Sequence, residues 1–371
     1  MSGTALDTLA GRLSLFPGRP LPTVRRDRPH GIERLFRGQP ADALPSLLAS
    51  IYTLCGYAHR LTARRAIVAA QGVVTALTPD DTLSLQRHTV REHSRRITLD
   101  WPVLAGLGSV RTMPVFQRCP ALASLSATSP AIAEDMNAWL HADVLAMPPS
   151  AWLATLQRGG ETWLLNWCET TDTPAARSLR VAASQARAII MVARPLQLQG
   201  DAAAQRALAA ALAASSGFID APQSHGACAE TGPWTRAHDP AHDPTDGTHQ
   251  NAWMRLAARL ADLVHLCAPE GAAWLAHGAL NTGPNEGLAW TETARGLLVH
   301  WLRLDGARVA DCRVLAPTDW NFHPHGLVAQ ALAQLPTGDE THDPTRWLIA
   351  AFDPCVAAER MLHPGEGVAC A

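Results

Sequence analysis

Apolar residues recur at three- and four-residue intervals along most of the chain, a period that predicts helices. In "NAWMRLAARLADLVHLC", Trp253, Leu256, Leu260, Leu263 and Val264 fall on one face and predict an amphipathic helix. Residues 41–75 and 82–99 also carry helical spacing, and "MPPSAWLATLQ" reads as a helix opened by proline. The Ala-rich stretch 174–215 predicts helix interrupted near Pro195 and Gly200. β signals are fewer. "GRLSLF" predicts one short strand, and two β-rich runs flank Asp305-Gly306, a pair that predicts a hairpin. Residues 236–251, "RAHDPAHDPTDGTHQN", are dense in Asp, Pro, His and Gly and predict a loop. The expected architecture is α+β and predominantly helical, with a β hairpin. Residues 1–30 read as a Pro/Arg-rich N-terminal segment. No linker divides residues 31–371, which read as a single body.

Composition narrows the function classes. Of 371 residues, 47% are hydrophobic and 17% charged, enough for a sizeable core. A net charge of −2 gives no reason to expect nucleic acid as a partner. All 31 basic residues are Arg, which fits genomic base composition. "MSGTALDTLAGRLSLF" lacks the charged start and apolar run of a signal peptide. No uncharged apolar run of about 18 residues occurs, so a cytoplasmic protein without membrane spans is expected. Eight cysteines are scattered, none in a C-x-x-C pair, which argues against a zinc finger or a disulfide framework. The repeated His-Asp-Pro of the loop, with a third copy at His342, suits a solvated turn better than a metal site.

Two cysteines stand out. In "SIYTLCGYAHRLTARRAI", Cys55 precedes His59 by four residues on a helical stretch; in "AFDPCVAAERMLH", Cys355 follows Asp-Pro. From residue 31 to 361 a series of segments resembles, in order, the large subunit of nickel–iron hydrogenases. They are "GIERLFRGQPADA", "YTLCGYAH", "ETGPWTR", "ETARGLLVHWLRLDGARVADCRVLAPTDWN" and "FDPCVAA". The resemblance implies a large-subunit-like fold with a long helix bundle and a small β-hairpin/sheet element. It also implies that Cys55 matches the second cysteine of the N-terminal C-x-x-C and Cys355 the first of the C-terminal one. Tyr52 and Ala358 then stand where the other two thiolates would be.

The departures shape the expected function. With two of four thiolates absent, a working Ni–Fe centre and its H₂ chemistry are not expected, and neither is nickel. Glu33 matches a Mg²⁺ ligand of the family, but Met361 stands where its histidine partner would be, with His363 out of register. What the resemblance retains is the iron half of the site. Cys55 and Cys355 match thiolate ligands, Arg295 and Thr318 match hydrogen-bond donors to the two cyanides, Leu298 matches the residue beside CO, and His59 matches a residue that bonds toward a bridging sulfur. By a looser alignment, Glu92 matches an acidic residue above the metal.

This pattern is similar to the hydrogenase assembly proteins of the HoxV/HupK type. It implies a non-catalytic scaffold that holds Fe(CN)₂CO, an iron with one CO and two cyanides, and no nickel. Its implied partners are Hyp-type maturation proteins and the hydrogenase large subunit or its precursor. The alternative is a degenerate large-subunit paralogue that acts only through protein contacts.

Overall fold

A computed structural model describes residues 11–27, 32–108, 113–122, 131–192, 194–236, 250–336 and 344–361. β1 (Arg12–Leu15) is the strand predicted from "GRLSLF", and β2 (Val24–Asp27) pairs with it antiparallel. The helical run predicted over 41–75 is divided into α1 (Leu44–Ile51) and α2 (Gly56–Ala70). The break falls at Tyr52, where φ −101° and ψ 64° leave the helical region, and a 3₁₀ turn spans Thr53–Cys55. Gly56 lets the chain turn hard against α1, because a Cβ there would stand 2.9 Å from the Ala49 carbonyl oxygen. α3 (Pro79–Arg95) opens on Thr78, whose hydroxyl accepts the Asp81 N–H at 3.1 Å. A wider turn over Arg96–Asp100 extends it.

α4 (Pro149–Thr170), kinked at Gly160 where φ 51° and ψ −143° leave the helical region, and α5 (Pro174–Ala186) both begin on proline. α6 (Ala202–Ala214) resumes the Ala-rich run after its interruption. α7 (Ala252–Leu266) departs from expectation. It is not amphipathic toward solvent: of its residues only His265 is not buried. Its polar face meets other buried charges instead of water. Arg255 makes a bidentate pair with Glu230, both contacts at 2.8 Å, and Asp262 meets Arg236 at 2.6 Å.

The predicted hairpin is half of a larger sheet. β3 (His277–Gly283), β4 (Glu286–Thr293), β5 (Gly296–Asp305) and β6 (Arg308–Leu315) form an antiparallel meander in that order. α2 packs on one face, and a second apolar cluster with α6 covers Leu297, Val299 and Trp301 on the other. Both faces of β5 are therefore buried, which explains its near-continuous apolar run. α8 (Pro317–Asn321), α9 (Leu327–Gln334), α10 (Thr345–Phe352) and β7 (Ala357–Arg360) complete the described chain.

β7 runs parallel to β1, with Arg12 opposite Ala357 and Leu15 opposite Arg360. The N-terminal segment is thus stitched to the C-terminal strand, and Leu13 and Leu15 are buried core residues. No described helix is long and apolar enough to cross a membrane. Residues 237–249, His342, His363, Cys370 and the Glu33 side chain lie outside the described structure.

Candidate functional site

The sheet, α3, α7, α8 and α10 bring the later segments of the sequence resemblance to one place. "GIERLFRGQPADA" pairs instead with the other end of the hairpin, Pro40 opposite Arg308 and the Ala41 N–H on the Ala307 carbonyl at 2.9 Å. α10 ends at Asp353, whose backbone is left-handed (φ 46°, ψ 67°), and Pro354 cannot extend a helix. The chain turns there toward α8, where Thr318 receives Cys355. Thr318 Oγ1 accepts the Cys355 backbone N–H at 3.1 Å and lies 3.2 Å from Cys355 Sγ. Cys55 comes from the turn that starts α2. Both cysteines are partly exposed. Burial raises the Cys55 thiol pKa above its ordinary value. Cys355 is near enough to raise it further, as are Glu92 and Asp353, while Arg295 acts to lower it.

Arg295 sits in the two-residue turn between β4 and β5, closed by the Thr293–Gly296 pair. Thr293 Oγ1 accepts the Arg295 N–H at 3.2 Å and donates to the Gly296 carbonyl at 2.8 Å. Gly296 holds φ +126°, and a Cβ there would stand 2.7 Å from Thr231 Oγ1. The Arg295 side chain is 3% exposed and is held on two sides. Nη2 bonds Glu92 Oε2 at 3.0 Å, and Nε faces Asp353 Oδ2 at 3.3 Å. Nη1 makes no hydrogen bond among the described residues. Burial by itself would lower the Arg295 pKa; Asp353, Glu92 and both cysteines outweigh it and raise the value. Asp353 is shared with Arg96 at 2.8 Å and Arg259 at 3.3 Å.

Hydrogen bonds lock the neighbouring segments to this turn. Thr231 donates its N–H to Asn321 Oδ1 at 3.0 Å and accepts from Asn321 Nδ2 through its carbonyl at 2.8 Å. Thr231 Oγ1 accepts the Leu297 N–H at 2.9 Å. The "ETGPWTR" segment, the Arg295 turn and α8 are therefore one hydrogen-bonded unit.

Of the residues singled out in the sequence, Cys55, Cys355, Arg295 and Thr318 converge, and Glu92 joins them through Arg295. Leu298 is 1% exposed and shares its β5 face with His300, toward α2. His59 Nδ1 meets His300 Nε2 at 3.1 Å, and the His59 ring lies under Tyr52, centroids 4.3 Å apart at 13°. Burial pushes the His300 pKa down to about 3. The two positions that the resemblance aligns with further cysteines, Tyr52 and Ala358, are not equivalent. Tyr52 shares a cavity of about 30 Å³ with Thr318 and Cys355. Ala358, on β7, lines another of about 350 Å³ with Arg96, Trp101 and Pro354.

Asp353 and His300 were not read from the sequence as site residues. The available signals were an Asp directly before Pro-Cys and a His in the middle of an apolar strand. None of the seven described cysteines forms a disulfide with another described residue. Among the described residues no group of three or more His, Cys, Asp and Glu converges as a metal site.

A family model for nickel-dependent hydrogenases matches residues 254–359, from α7 to β7. Across nearly the whole chain, similarity is to the hydrogenase expression/formation protein HoxV of Cupriavidus necator. The two are 39% identical over 370 residues, 94% of each. The chain belongs to this family of hydrogenase expression/formation proteins. A HupK member of the family, from Bradyrhizobium diazoefficiens, is 31% identical over 89% of each chain. The fold of this HoxV/HupK-family member is that of the hydrogenase large subunit. It superposes on a Ni-Fe-Se hydrogenase from D. vulgaris Hildenborough with a TM-score of 0.56 at 13% identity, over 89% of this chain and 92% of that one. The α+β, large-subunit-like architecture expected from the sequence is the observed one.

Proposed function

We propose that the chain is a non-catalytic carrier in hydrogenase maturation. It takes up Fe(CN)₂CO from Hyp-type maturation proteins and holds it, without nickel, for the hydrogenase large-subunit precursor. The observation that carries this reading is the convergence of Cys55 and Cys355 on the buried guanidinium of Arg295. Two sulfurs are too few for a bare divalent ion, which takes about four protein ligands in a structural site. They suit an iron that arrives with three ligands of its own. Soft thiolates match low-spin iron. Each thiol that binds gives up its proton, and the negative charge gathered on sulfur and cyanide lies within the field of Arg295.

The remaining roles follow from position. Arg295 Nη1 is available to donate to one cyanide nitrogen, its plane fixed by Glu92 and Asp353. Thr318 fixes Cys355 and offers its hydroxyl to the second cyanide. Leu298 supplies the apolar side for CO. His59 supports the turn that carries Cys55 through its bond to His300. Names shared by the relatives, expression/formation protein, support maturation as the process.

The test is infrared absorption of the protein purified after co-expression with maturation proteins. Bands in the CO and CN stretching region are expected, with at most one iron and no nickel per chain. Cys55→Ala and Cys355→Ala are each expected to remove the bands, and Cys119→Ala to leave them. Absence of the bands from the wild-type protein would favour an action through protein contacts alone.

A further inference from the structure

The cavity beside Cys355 is bounded by an aromatic ring. Tyr52 is 7% exposed, and its ring lies flat on buried His59. It shares with Cys355 and Thr318 a cavity of about 30 Å³, space for about two water molecules. A metal ion beside Cys355 on this side would need that cavity for itself and for the waters that complete its shell. The backbone reinforces the placement. Tyr52 ends α1, and its carbonyl accepts the Cys55 N–H at 3.2 Å, so ring and sulfur ride on the same turn. The ring is held from below by His59, whose Nδ1 meets His300 Nε2 in the sheet.

We infer that Tyr52 is a specificity-determining residue: its ring narrows the space beside Cys355 to this small cavity and keeps a thiophilic divalent cation off that sulfur. The inference rests on reading Cys55 and Cys355 as the metal-binding pair. It assigns the discrimination to volume as well as to the number of sulfurs. The phenol hydroxyl plays no part in it.

The experiment uses full-length protein freed of metal and titrated with Cd²⁺. Thiolate-to-cadmium absorption in the ultraviolet reports coordination by cysteine alone. Tyr52→Phe keeps the ring and is expected to bind Cd²⁺ as weakly as wild type. Tyr52→Ala removes it and is expected to bind at least about tenfold tighter, with the gain lost in Tyr52→Ala/Cys355→Ala. Equal affinity of Tyr52→Ala and Tyr52→Phe would overturn the inference. So would a gain in Tyr52→Phe equal to that in Tyr52→Ala, which would assign the effect to the hydroxyl. If Tyr52→Ala does not fold, Tyr52→Val, which removes most of the ring's volume but keeps an apolar side chain, carries the same comparison. Because no iron is present, the result is independent of the infrared test. A carrier reading that fails there leaves a cadmium gain in Tyr52→Ala standing, and the reverse also holds.

Discussion

Arg295 Nε and Asp353 Oδ2 face each other at 3.3 Å, both residues almost wholly buried, at the point where the β4–β5 turn meets the end of α10. The contact joins the hairpin to the segment that carries Cys355. It also orients a guanidinium that Glu92 holds from the other side. Removing one partner of a buried pair costs about 3–5 kcal/mol, because the other is left uncompensated. Asp353 retains Arg96 and Arg259, so Arg295→Leu is expected near the lower end of that range. Denaturant unfolding measures this. Iron retention is expected to fall further in Arg295→Leu than in Thr318→Val. A charged hydrogen bond contributes about 1.5–3 kcal/mol and a neutral one about 1. Unshifted CN bands in Arg295→Leu at full iron occupancy would remove the cyanide-donor role.

Gly296 is expected to tolerate no side chain. Its φ of +126° and the 2.7 Å that would separate a Cβ from Thr231 Oγ1 leave neither the conformation nor the room. Gly296→Ala is expected to destabilise by about 1–3 kcal/mol through overpacking, with backbone strain added. It is also expected to lower iron content, because Arg295 is the preceding residue of the same turn. A melting temperature equal to that of wild type would show that the Thr231 segment yields.

Restoring sulfur at the two substituted positions is expected not to restore H₂ oxidation. Tyr52→Cys would place a thiol in the Cys355 cavity. Ala358→Cys would place one on β7, opposite Leu13 and in the cavity lined by Arg96 and Trp101. Nickel content of the double variant is expected to match that of Tyr52→Cys alone. Hydrogen uptake above background would show that the β7 segment rearranges around metal.

Stability is expected to fall on mild acidification. His93 donates through Nε2 to Asp262 at 2.7 Å, because Arg259, an obligate donor, occupies Nδ1 at 3.2 Å. Burial, aided by Arg259 and Arg236, outweighs Asp262 and lowers the His93 pKa to about 4. His300, facing His59, is pushed down by burial to about 3. A histidine kept neutral in the fold takes up a proton on unfolding once the pH drops below its ordinary value. Its contribution is whole above about pH 7.5 and is lost as the pH falls toward the folded pKa. Each histidine is expected to remove about 2 kcal/mol between pH 7.5 and pH 5. Denaturant midpoints across that range measure the sum, and His300→Gln is expected to halve the slope.

The sequence by itself determined the helical character, the strand at "GRLSLF" and the hairpin at Asp305-Gly306, and its ordered motifs pointed to Cys55, Cys355, Arg295 and Thr318 as candidates. These were legible because period, turn chemistry and ordered motifs are local properties of the chain. The tertiary structure decided what depends on contacts between distant segments. β7 exists because β1, more than 300 residues earlier, offers its edge. α7 is central because its Arg255, Arg259 and Asp262 find buried counter-charges, whereas their spacing alone reads as a solvent face. The run of β4 is buried on both faces, and so carries no alternation to read. Asp353 is a helix terminator in the sequence. It becomes the anchor of Arg295 only where α10 and the β4–β5 turn meet, since a buried carboxylate takes its role from the cations brought within a few ångströms of it.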